Sequence, residues 1–319
     1  MKKTEVFPLE GRRVLVAGHR GMLGAALVRR LSSEGVEVQG VGREQVDLRR
    51  QQEVETWMEQ HHPEGVILAA ATVGGISDNM ARPADFLYDN LMIETNLIHA
   101  AARVGVRRLL MVGSSCIYPR EAPQPIREEA LLSGPLEESN RAYALAKIAG
   151  LELCRAYRRQ YGHDFFAAMP TNLYGPGDTY HPLRSHVVPA LMLKFFEAKQ
   201  EDRPSVTLWG TGTPLRELLY VEDAADALIF LLRYYEGEGP VNIGSGVEVS
   251  ITTLAHKIAA LVGYSGAIEW DSSQLDGTPR KRLDTSVMDQ LGWRGTTSLD
   301  DGLARSFAAW QKSVAARHT

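Results

Sequence analysis

The alternation of two patterns across the first half of the chain constrains its fold most. Apolar runs of strand length lie at 12–18, 36–41, 65–71, 107–115 and 165–172. Segments with helical periodicity lie between them, at 22–34, 50–61, 83–105 and 141–161. These repeated strand–helix–strand units predict an α/β fold. We expect a doubly wound parallel sheet of the Rossmann type, with helices on both faces.

The alternation loosens after residue 173. Proline and glycine cluster at 174–182 and 209–214, and only short apolar elements remain between the helical segments. We therefore expect residues 1–173 to form the doubly wound domain. Residues 174–319 should form mainly a smaller α/β region over the carboxyl edge of the sheet, with some segments returning to the first domain.

Composition argues against several classes of function. The formal net charge of −4 gives no basic field for nucleic acid. No run of about 18 apolar residues is present, so no membrane span is expected. Cys116 and Cys154 are the only cysteines, too few and too far apart for a disulfide framework or a zinc site. We expect a cytoplasmic protein without a metal.

A glycine-rich turn joins the first strand to the first helix. Three glycines at spacings of three residues permit a tight turn and let backbone N–H groups approach a pyrophosphate at the start of the helix. The pattern predicts a dinucleotide site, in the glycine spacing that short-chain dehydrogenases use. Its expected contacts are Gly18, His19, Arg20, Gly21, Met22, Leu23 and Gly24.

The end of the second strand selects the cofactor. An acidic residue there favours NAD, because it binds the ribose 2′-OH, whereas arginine favours NADP. Here Arg43 takes that position, and Arg20 lies inside the glycine turn. Two guanidinium groups indicate a 2′-phosphate and hence NADP(H). Asp47, with its neighbour Leu48, is expected at the adenine end.

A tyrosine and a lysine four residues apart supply the candidate chemistry. Tyr143 and Lys147 share one face of a predicted helix. The ammonium lowers the pKa of the phenol and can bond the nicotinamide ribose, so the phenol can protonate a ketone oxygen as hydride arrives. Ser114, after the strand at 109–115, can bond the same carbonyl. The order glycine turn, serine, tyrosine and lysine predicts a nicotinamide-dependent oxidoreductase.

With these residues in place, the sequence resembles the extended short-chain dehydrogenases that act on nucleotide sugars. Within them it is similar to the epimerase–reductases of GDP-4-keto-6-deoxy-D-mannose. The resemblance runs from about residue 12 to 312. The matching stretches are AGHRGMLG (17–24), AAATVGGI (69–76), GSSCIYP (113–119), NRAYALAKIAG (140–150), MPTNLYGPGD (169–178), SHVVPAL (185–191), WGTGTPLRE (209–217) and DGTPRKRLD (276–284).

The resemblance assigns roles that the residues alone leave open. It implies that Ser114, Tyr143 and Lys147 reduce the sugar, while Cys116 and His186 epimerise it at C3 and C5. Read without the family, Cys116 fits a small buried apolar residue and His186 a helix start or a surface position. The segment Pro170, Thr171, Asn172 and Leu173, together with His186, is implied to face the nicotinamide.

The resemblance also implies a GDP site, a product and an assembly. The GDP residues would be Lys194, Trp209, Arg216, Asp276 and Lys281, which offer a ring to stack, cations for a diphosphate and a carboxylate. Read without the family, Trp209 could instead be a core residue. The implied product is GDP-L-fucose, and the implied assembly is a homodimer paired through the helices at 83–105 and 141–161.

Other functions stay open to different degrees. A 4,6-dehydratase needs an acidic pair after the catalytic serine, and Ser115-Cys116-Ile117 stands there instead. A simple 4-epimerase keeps NAD bound, which the two arginines disfavour. A non-catalytic dinucleotide sensor would not need Tyr143 and Lys147. A related epimerase–reductase for a dideoxy or heptose sugar remains compatible, because Thr179 and Tyr180 depart from the family pattern near the substrate.

Overall fold

The computed structural model describes residues 4–182, 184–274 and 276–316. Its helices are α1 (Met22–Ser32), α2 (Gln51–His61), α3 (Ile76–Ala81), α4 (Pro83–Arg103), α5 (Arg141–Tyr161), α6 (Val187–Gln200), α7 (Val221–Tyr234), α8 (Ile251–Val262), α9 (Ser286–Gln290) and α10 (Leu299–Ala315). Its strands are β1 (Arg13–Ala17), β2 (Glu37–Gln39), β3 (Gly65–Leu68), β4 (Arg108–Val112), β5 (Asp164–Pro170), β6 (Asn172–Tyr174), β7 (Ser205–Trp209), β8 (Leu215–Tyr220), β9 (Val241–Ile243), β10 (Glu248–Ser250), β11 (Ala267–Asp271) and β12 (Arg280–Lys281).

The main sheet has six parallel strands in the order β2-β1-β3-β4-β5-β9. Leu15 lies opposite Val66, and Leu110 lies opposite Phe166. The strand order reverses at β1, so a crevice opens there at the carboxyl edge, where ligands bind in doubly wound folds. The predicted Rossmann fold is confirmed.

Two apolar clusters cover the two faces of this sheet. On one face Val66, Leu109 and Met111 pack with residues of α2, α4 and α5. On the other face Val14 and Leu110 pack with residues of α1 and α7. β3 and β4 are therefore buried along their whole length, as expected of central parallel strands. This rigid layer fixes the strand ends that carry the site.

The second half of the chain builds a smaller unit. A sheet in the order β10-β8-β12, which β6 extends, and the parallel pair β11-β7 lie with α6, α8 and α10 around a third apolar cluster. β9 and α7 instead belong to the main sheet and its cover. The division at residue 173 remains a prediction, with these two elements lying on the side of the first domain.

The predicted strands and helices exist but differ in extent. β2 covers only three residues of the apolar run 36–41, because the chain turns at 40–45 toward the crevice. The short α3 falls in a stretch without helical periodicity and was not predicted. Among the described residues no helix has both the length and the apolarity needed to cross a membrane.

Candidate active site

A cavity of about 680 Å³ opens at the carboxyl edge of the main sheet. It extends from the turn after β1 to the segment around β12, so both halves of the chain wall it. Every residue expected to contact the cofactor lines it. These residues are Gly18, His19, Arg20, Gly21, Met22, Leu23, Gly24, Arg43, Asp47, Leu48, Lys147, Pro170, Thr171, Asn172, Leu173 and His186.

The glycine turn brings the start of α1 against the end of β1. Gly18 has φ of +87°, and a Cβ there would lie 2.7 Å from the backbone nitrogen of Ala70. A Cβ on Gly24 would overlap the carbonyl group of Gly18. The close packing leaves the first N–H groups of α1 directed at the cavity, where a pyrophosphate fits without a side chain in its way.

Three charged residues stand at the expected 2′-phosphate position. Arg43 is exposed. The guanidinium of Arg20 donates to both carboxylate oxygens of Glu44, at 2.9 and 2.5 Å. That contact lowers the pKa of Glu44. The two arginines fit a phosphate, and Glu44 holds the donors of Arg20 that a phosphate would use.

Asp47 is part of a separate ion-pair network. Arg49 lies 2.7 Å from Asp47 Oδ2 and 3.0 Å from Asp89 Oδ1. Its hydrogen bonds lower the pKa of Asp47 to about 2. Asp47 is therefore an anion that Arg49 already neutralises, so it offers the cavity an acceptor with little net charge.

Ser114 and Tyr143 meet beside the end of β4. The Ser114 side chain accepts a hydrogen bond from the backbone N–H of Cys116 at 3.2 Å, which fixes the short helical turn 115–117. The phenol of Tyr143 interacts with Ser114. Burial raises the pKa of Tyr143, and the charge of Lys147 works in the opposite direction. The phenol is therefore protonated at rest, as a general acid must be.

Lys147 reaches the cavity from beneath. Its Nζ donates to the carbonyl oxygen of Val112 at 3.1 Å and lies 2.8 Å from Glu94 Oε1. Burial lowers the pKa of this ammonium, but Glu94 and Tyr143 together outweigh that effect, so its pKa is raised. Lys147 is thus a permanent cation under Tyr143.

The thiol of Cys116 lies between two donors. Asn140 Nδ2 and Lys281 Nζ are each 3.3 Å from its Sγ. Burial raises the pKa of this thiol, but the Lys281 ammonium and the Ser114 contact outweigh burial, so the pKa lies below its ordinary value. Such surroundings favour a thiolate.

His186 stands at the start of α6, as the residue that precedes its first turn. It lines the same cavity as Cys116 and Tyr143. Burial lowers the pKa of its imidazole, so the ring is neutral near pH 7. His186 is therefore a titratable group that the smaller unit contributes to the cavity.

The five residues expected to hold GDP divide into two groups. Arg216 and Lys281 line the cavity. Trp209, 61% exposed on β7, lies outside its lining, as do Lys194 and Asp276. Lys194 donates to the carbonyl of Thr207 on β7, and Asp276 accepts from Thr211 just beyond it.

The surface outside the cavity continues from it without a break. Arg216 Nη2 lies 3.4 Å from the carbonyl oxygen of Asp276, so the cavity wall joins the Trp209 surface there. The exposed ring of Trp209 excludes its reading as a core residue.

A buried carboxylate ties the cavity wall together. Glu217 on β8 accepts from the backbone N–H groups of Gly246, at 2.7 Å, and Leu283, at 2.9 Å. Leu283 follows Lys281 by two residues, and Arg216 precedes Glu217. These two hydrogen bonds therefore fix the two cavity-lining cations, Arg216 and Lys281, relative to one another.

Sequence reasoning missed three contacting residues. Asn140 was visible only as the residue before the catalytic helix. Glu44 directly follows Arg43, and its own charge was the only signal. Glu94 lies on α4 among apolar neighbours, and a carboxylate at such a position calls for a buried cation partner.

Comparison with known proteins defines the family. A model of the NAD dependent epimerase/dehydratase family matches residues 14–244. The GDP-L-fucose synthase of Sinorhizobium fredii is 53% identical over 310 residues, which cover 97% of this chain and 99% of the relative. The chain belongs to the GDP-L-fucose synthases within that family.

Solved structures share the fold over nearly their full length. A GDP-L-fucose synthetase from Naegleria fowleri bound to NADP has a TM-score of 0.89 at 27% identity and covers 98% of each chain. A GDP-6-OMe-4-keto-L-xylo-heptose reductase from C. jejuni has a TM-score of 0.88 at 31% identity, over 97% of this chain and 99% of that one.

Proposed function

We propose that this chain is an NADPH-dependent GDP-L-fucose synthase. It epimerises GDP-4-keto-6-deoxy-D-mannose at C3 and C5 and then reduces the ketone at C4. One observation carries the proposal: the polarised thiol of Cys116 and the Ser114–Tyr143–Lys147 group share one cavity. A proton-abstracting group beside a reductive group is what an epimerase–reductase needs.

The residues of the glycine turn and the cavity floor fit NADPH. The cradle at Gly18 and Gly24 would close if either carried a Cβ. Arg20 and Arg43 would hold the 2′-phosphate, while the cavity-lining segment 170–173 would lie along the nicotinamide. NADPH supplies the hydride when bound.

Epimerisation needs a base and an acid on the sugar. The 4-ketone acidifies the hydrogens at C3 and C5, and the thiolate of Cys116 can abstract such a proton. His186, which is neutral near pH 7, takes up a proton from solvent and then delivers it to the other face of the sugar. Because burial lowers the pKa of this imidazole, its protonated form is a stronger acid than an ordinary histidine.

Reduction uses the second group of residues. Tyr143 donates its proton to the C4 oxygen as the negative charge develops there, and Ser114 donates a hydrogen bond to the same oxygen. The charge of Lys147 stabilises the phenolate that remains. Outside the cavity, Trp209 would stack on guanine. Arg216 on the cavity wall and Lys194 beyond it would face the diphosphate.

The test is a product analysis with a panel of GDP-4-keto sugars in D₂O with NADPH. GDP-4-keto-6-deoxy-D-mannose should give GDP-L-fucose with deuterium at C3 and C5 by NMR. Preferential turnover of a 4-keto dideoxy sugar or heptose would replace the substrate assignment and keep the reaction class. No turnover of any ketone would overturn the proposal.

Three variants separate the half-reactions. Tyr143→Phe should stop NADPH oxidation, while deuterium still enters at C3 and C5. Cys116→Ser should do the reverse, because a hydroxyl is far less acidic than a thiol, so exchange should fall by orders of magnitude. His186→Asn should slow completion of epimerisation. Full-rate exchange in Cys116→Ser would end the assignment of Cys116.

We also propose a cytoplasmic homodimer. A thiolate base requires a reduced Cys116, which a reducing compartment maintains. α4 and α5 pack side by side and present Tyr88, 61% exposed, and Leu145, 41% exposed, to solvent. Such residues can pair with a second copy of the chain. Light scattering at micromolar concentration should give twice the mass of 35.2 kDa, and a monomer mass would refute the pairing.

A further inference from the structure

Glu94 forms a buried ion pair with Lys147. The two side chains are 1% and 2% exposed, and Lys147 Nζ lies 2.8 Å from Glu94 Oε1. Glu94 belongs to α4 and Lys147 to α5, so the pair joins the two long helices under the cavity. From this geometry we infer that Glu94 is a positioning residue for Lys147, which keeps that ammonium charged and in place. The inference rests on the proposed reductive role of Lys147.

The contacts of Lys147 on the protein side leave donor capacity for the cavity. An ammonium has three N–H donors. The carbonyl oxygen of Val112, at 3.1 Å, accepts one of them, and Glu94 Oε1 lies 2.8 Å away as an ion-pair partner without hydrogen-bond geometry. Lys147 also lines the cavity, so a remaining donor can reach a bound ribose or the region of Tyr143.

A glycine makes room for this carboxylate. A Cβ on Gly150, one turn after Lys147, would overlap Glu94 Oε2. Oε2 is buried and has no hydrogen-bond partner among the described residues. Burial raises the pKa of Glu94, and Lys147 is the influence that opposes it, so a carboxylate in this place depends on its cation.

The other titratable groups near the pair lie on two elements. Tyr143 and Cys154 are on α5, and burial raises the pKa of each, so both are neutral. Cys116 is on the turn after β4, and its pKa is lowered. Glu94 alone supplies a carboxylate in contact with Lys147 among the described residues. Burial lowers the pKa of Lys147, and Glu94 is the largest opposing influence.

Removal of the Glu94 carboxylate should shift the pH dependence of reduction in one direction. If Lys147 stays charged, its uncompensated field lowers the pKa of Tyr143. If the pKa of Lys147 falls instead, the ammonium loses its proton at a lower pH than in wild type. By either route the enzyme loses the protonated Tyr143 or the charged Lys147 at a lower pH than wild type does, so the alkaline limb of reduction moves to lower pH.

The experiment compares wild type with Glu94→Gln and Glu94→Asp. Lysine ¹³Cε NMR of the apoprotein, with Lys147 assigned by Lys147→Arg, should show the Lys147 titration at least one pH unit lower in Glu94→Gln. The alkaline limb of kcat for NADPH oxidation should move in the same direction. Glu94→Asp, which keeps the charge, should shift less.

Deuterium exchange at C3 and C5 is the internal control, because Cys116 lies on another element. Retained exchange shows that the variant folds and binds the sugar. An unchanged Lys147 titration and kcat profile, with only a lower melting temperature, would overturn the inference and leave Glu94 as packing. If Glu94→Gln does not fold, the titration of Glu94→Asp decides alone. The titration is read without substrate, so it stands apart from any failure of the proposed function.

Discussion

The ammonium of Lys281 lies 3.3 Å from the sulfur of Cys116, although the two residues are 165 positions apart in the chain. Sequence similarity suggested GDP as the partner of Lys281. In the structure its ammonium contacts the thiol, as Asn140 does, and its role toward GDP remains a prediction. Lys281 thus connects the smaller unit to the proposed epimerisation base.

Lys281→Met should slow epimerisation more than reduction. Burial alone raises the pKa of Cys116, and Lys281 is the largest influence that lowers it. Without the cation, the thiolate forms only at higher pH, so the rising limb of deuterium exchange should move to higher pH. The rate of Cys116 alkylation by iodoacetamide should move with it. Lys281→Arg, which keeps the charge, should stay near wild type; equal shifts in both variants would exclude an electrostatic cause.

Arg43→Ala should weaken NADPH binding by about 1–3 kcal/mol, the cost of a lost charge-assisted hydrogen bond, and barely change NADH binding. Fluorescence titration with both cofactors measures the difference. Glu44→Gln is the matched opposite, because it releases the Arg20 donors that Glu44 holds. It should tighten NADPH and leave NADH unchanged. Equal affinity of the wild type for both cofactors would contradict the role of the arginines.

Gly24→Ala should destabilise the fold and abolish cofactor binding, because the added Cβ overlaps the Gly18 carbonyl and must push α1 off β1. The expected loss is about 1–3 kcal/mol or more, as in overpacked cores. Gly21→Ala is the control: its Cβ would meet the same carbonyl oxygen at 3.4 Å, an ordinary contact. Urea unfolding compares the two. Equal urea midpoints for the two variants would show that the turn accommodates the added Cβ of Gly24→Ala.

Asp178→Asn should make stability less dependent on pH. Burial raises the pKa of Asp178 from 3.8 to about 7, and its Oδ2 has no partner among the described residues. The folded state therefore holds a proton that the unfolded state releases. The contribution is fully present below about pH 4 and is lost as pH rises through 7, by up to ~4 kcal/mol.

Asparagine keeps the acceptor for the backbone N–H of Thr179 and does not titrate. The stability advantage of the variant should grow between pH 4 and 7 and stay constant above. Parallel curves of unfolding free energy against pH would show that Asp178 does not titrate in this range.

The sequence predicted those parts of the fold and site that depend on local order. Strand–helix alternation predicted the sheet, because the apolar runs other than the one that holds the short edge strand β2 are buried strands joined by crossover helices. The glycine turn and the pair Tyr143–Lys147 were readable since each sits within a few residues of chain. Their roles remain predictions, although the structure brings them into one cavity.

Contacts between distant segments could not be read from the sequence. The partner of Cys116 lies on β12, and the partner of Lys147 lies on another helix. Nothing local at Glu94 says which cation it meets, because that depends on how α4 and α5 pack. Likewise Glu44 looked like a neighbour of Arg43, whereas its side chain turns to Arg20 across the crevice.

The hydrogen bonding of β9 to β5 sets an order of events during synthesis on the ribosome. The open edge of β5 has no partner until residue 243 of 319 has emerged, and α1 lacks the cover of α7 until residue 234 has done so. Until then, a nascent chain with every reductive residue already made exposes an unpaired strand and an uncovered apolar face, both of which invite aggregation. Only after Lys281 and Leu283 follow can Glu217 accept its hydrogen bond from the backbone N–H of Leu283. We therefore expect a translational pause before residue 243 to favour aggregation more than a pause after it.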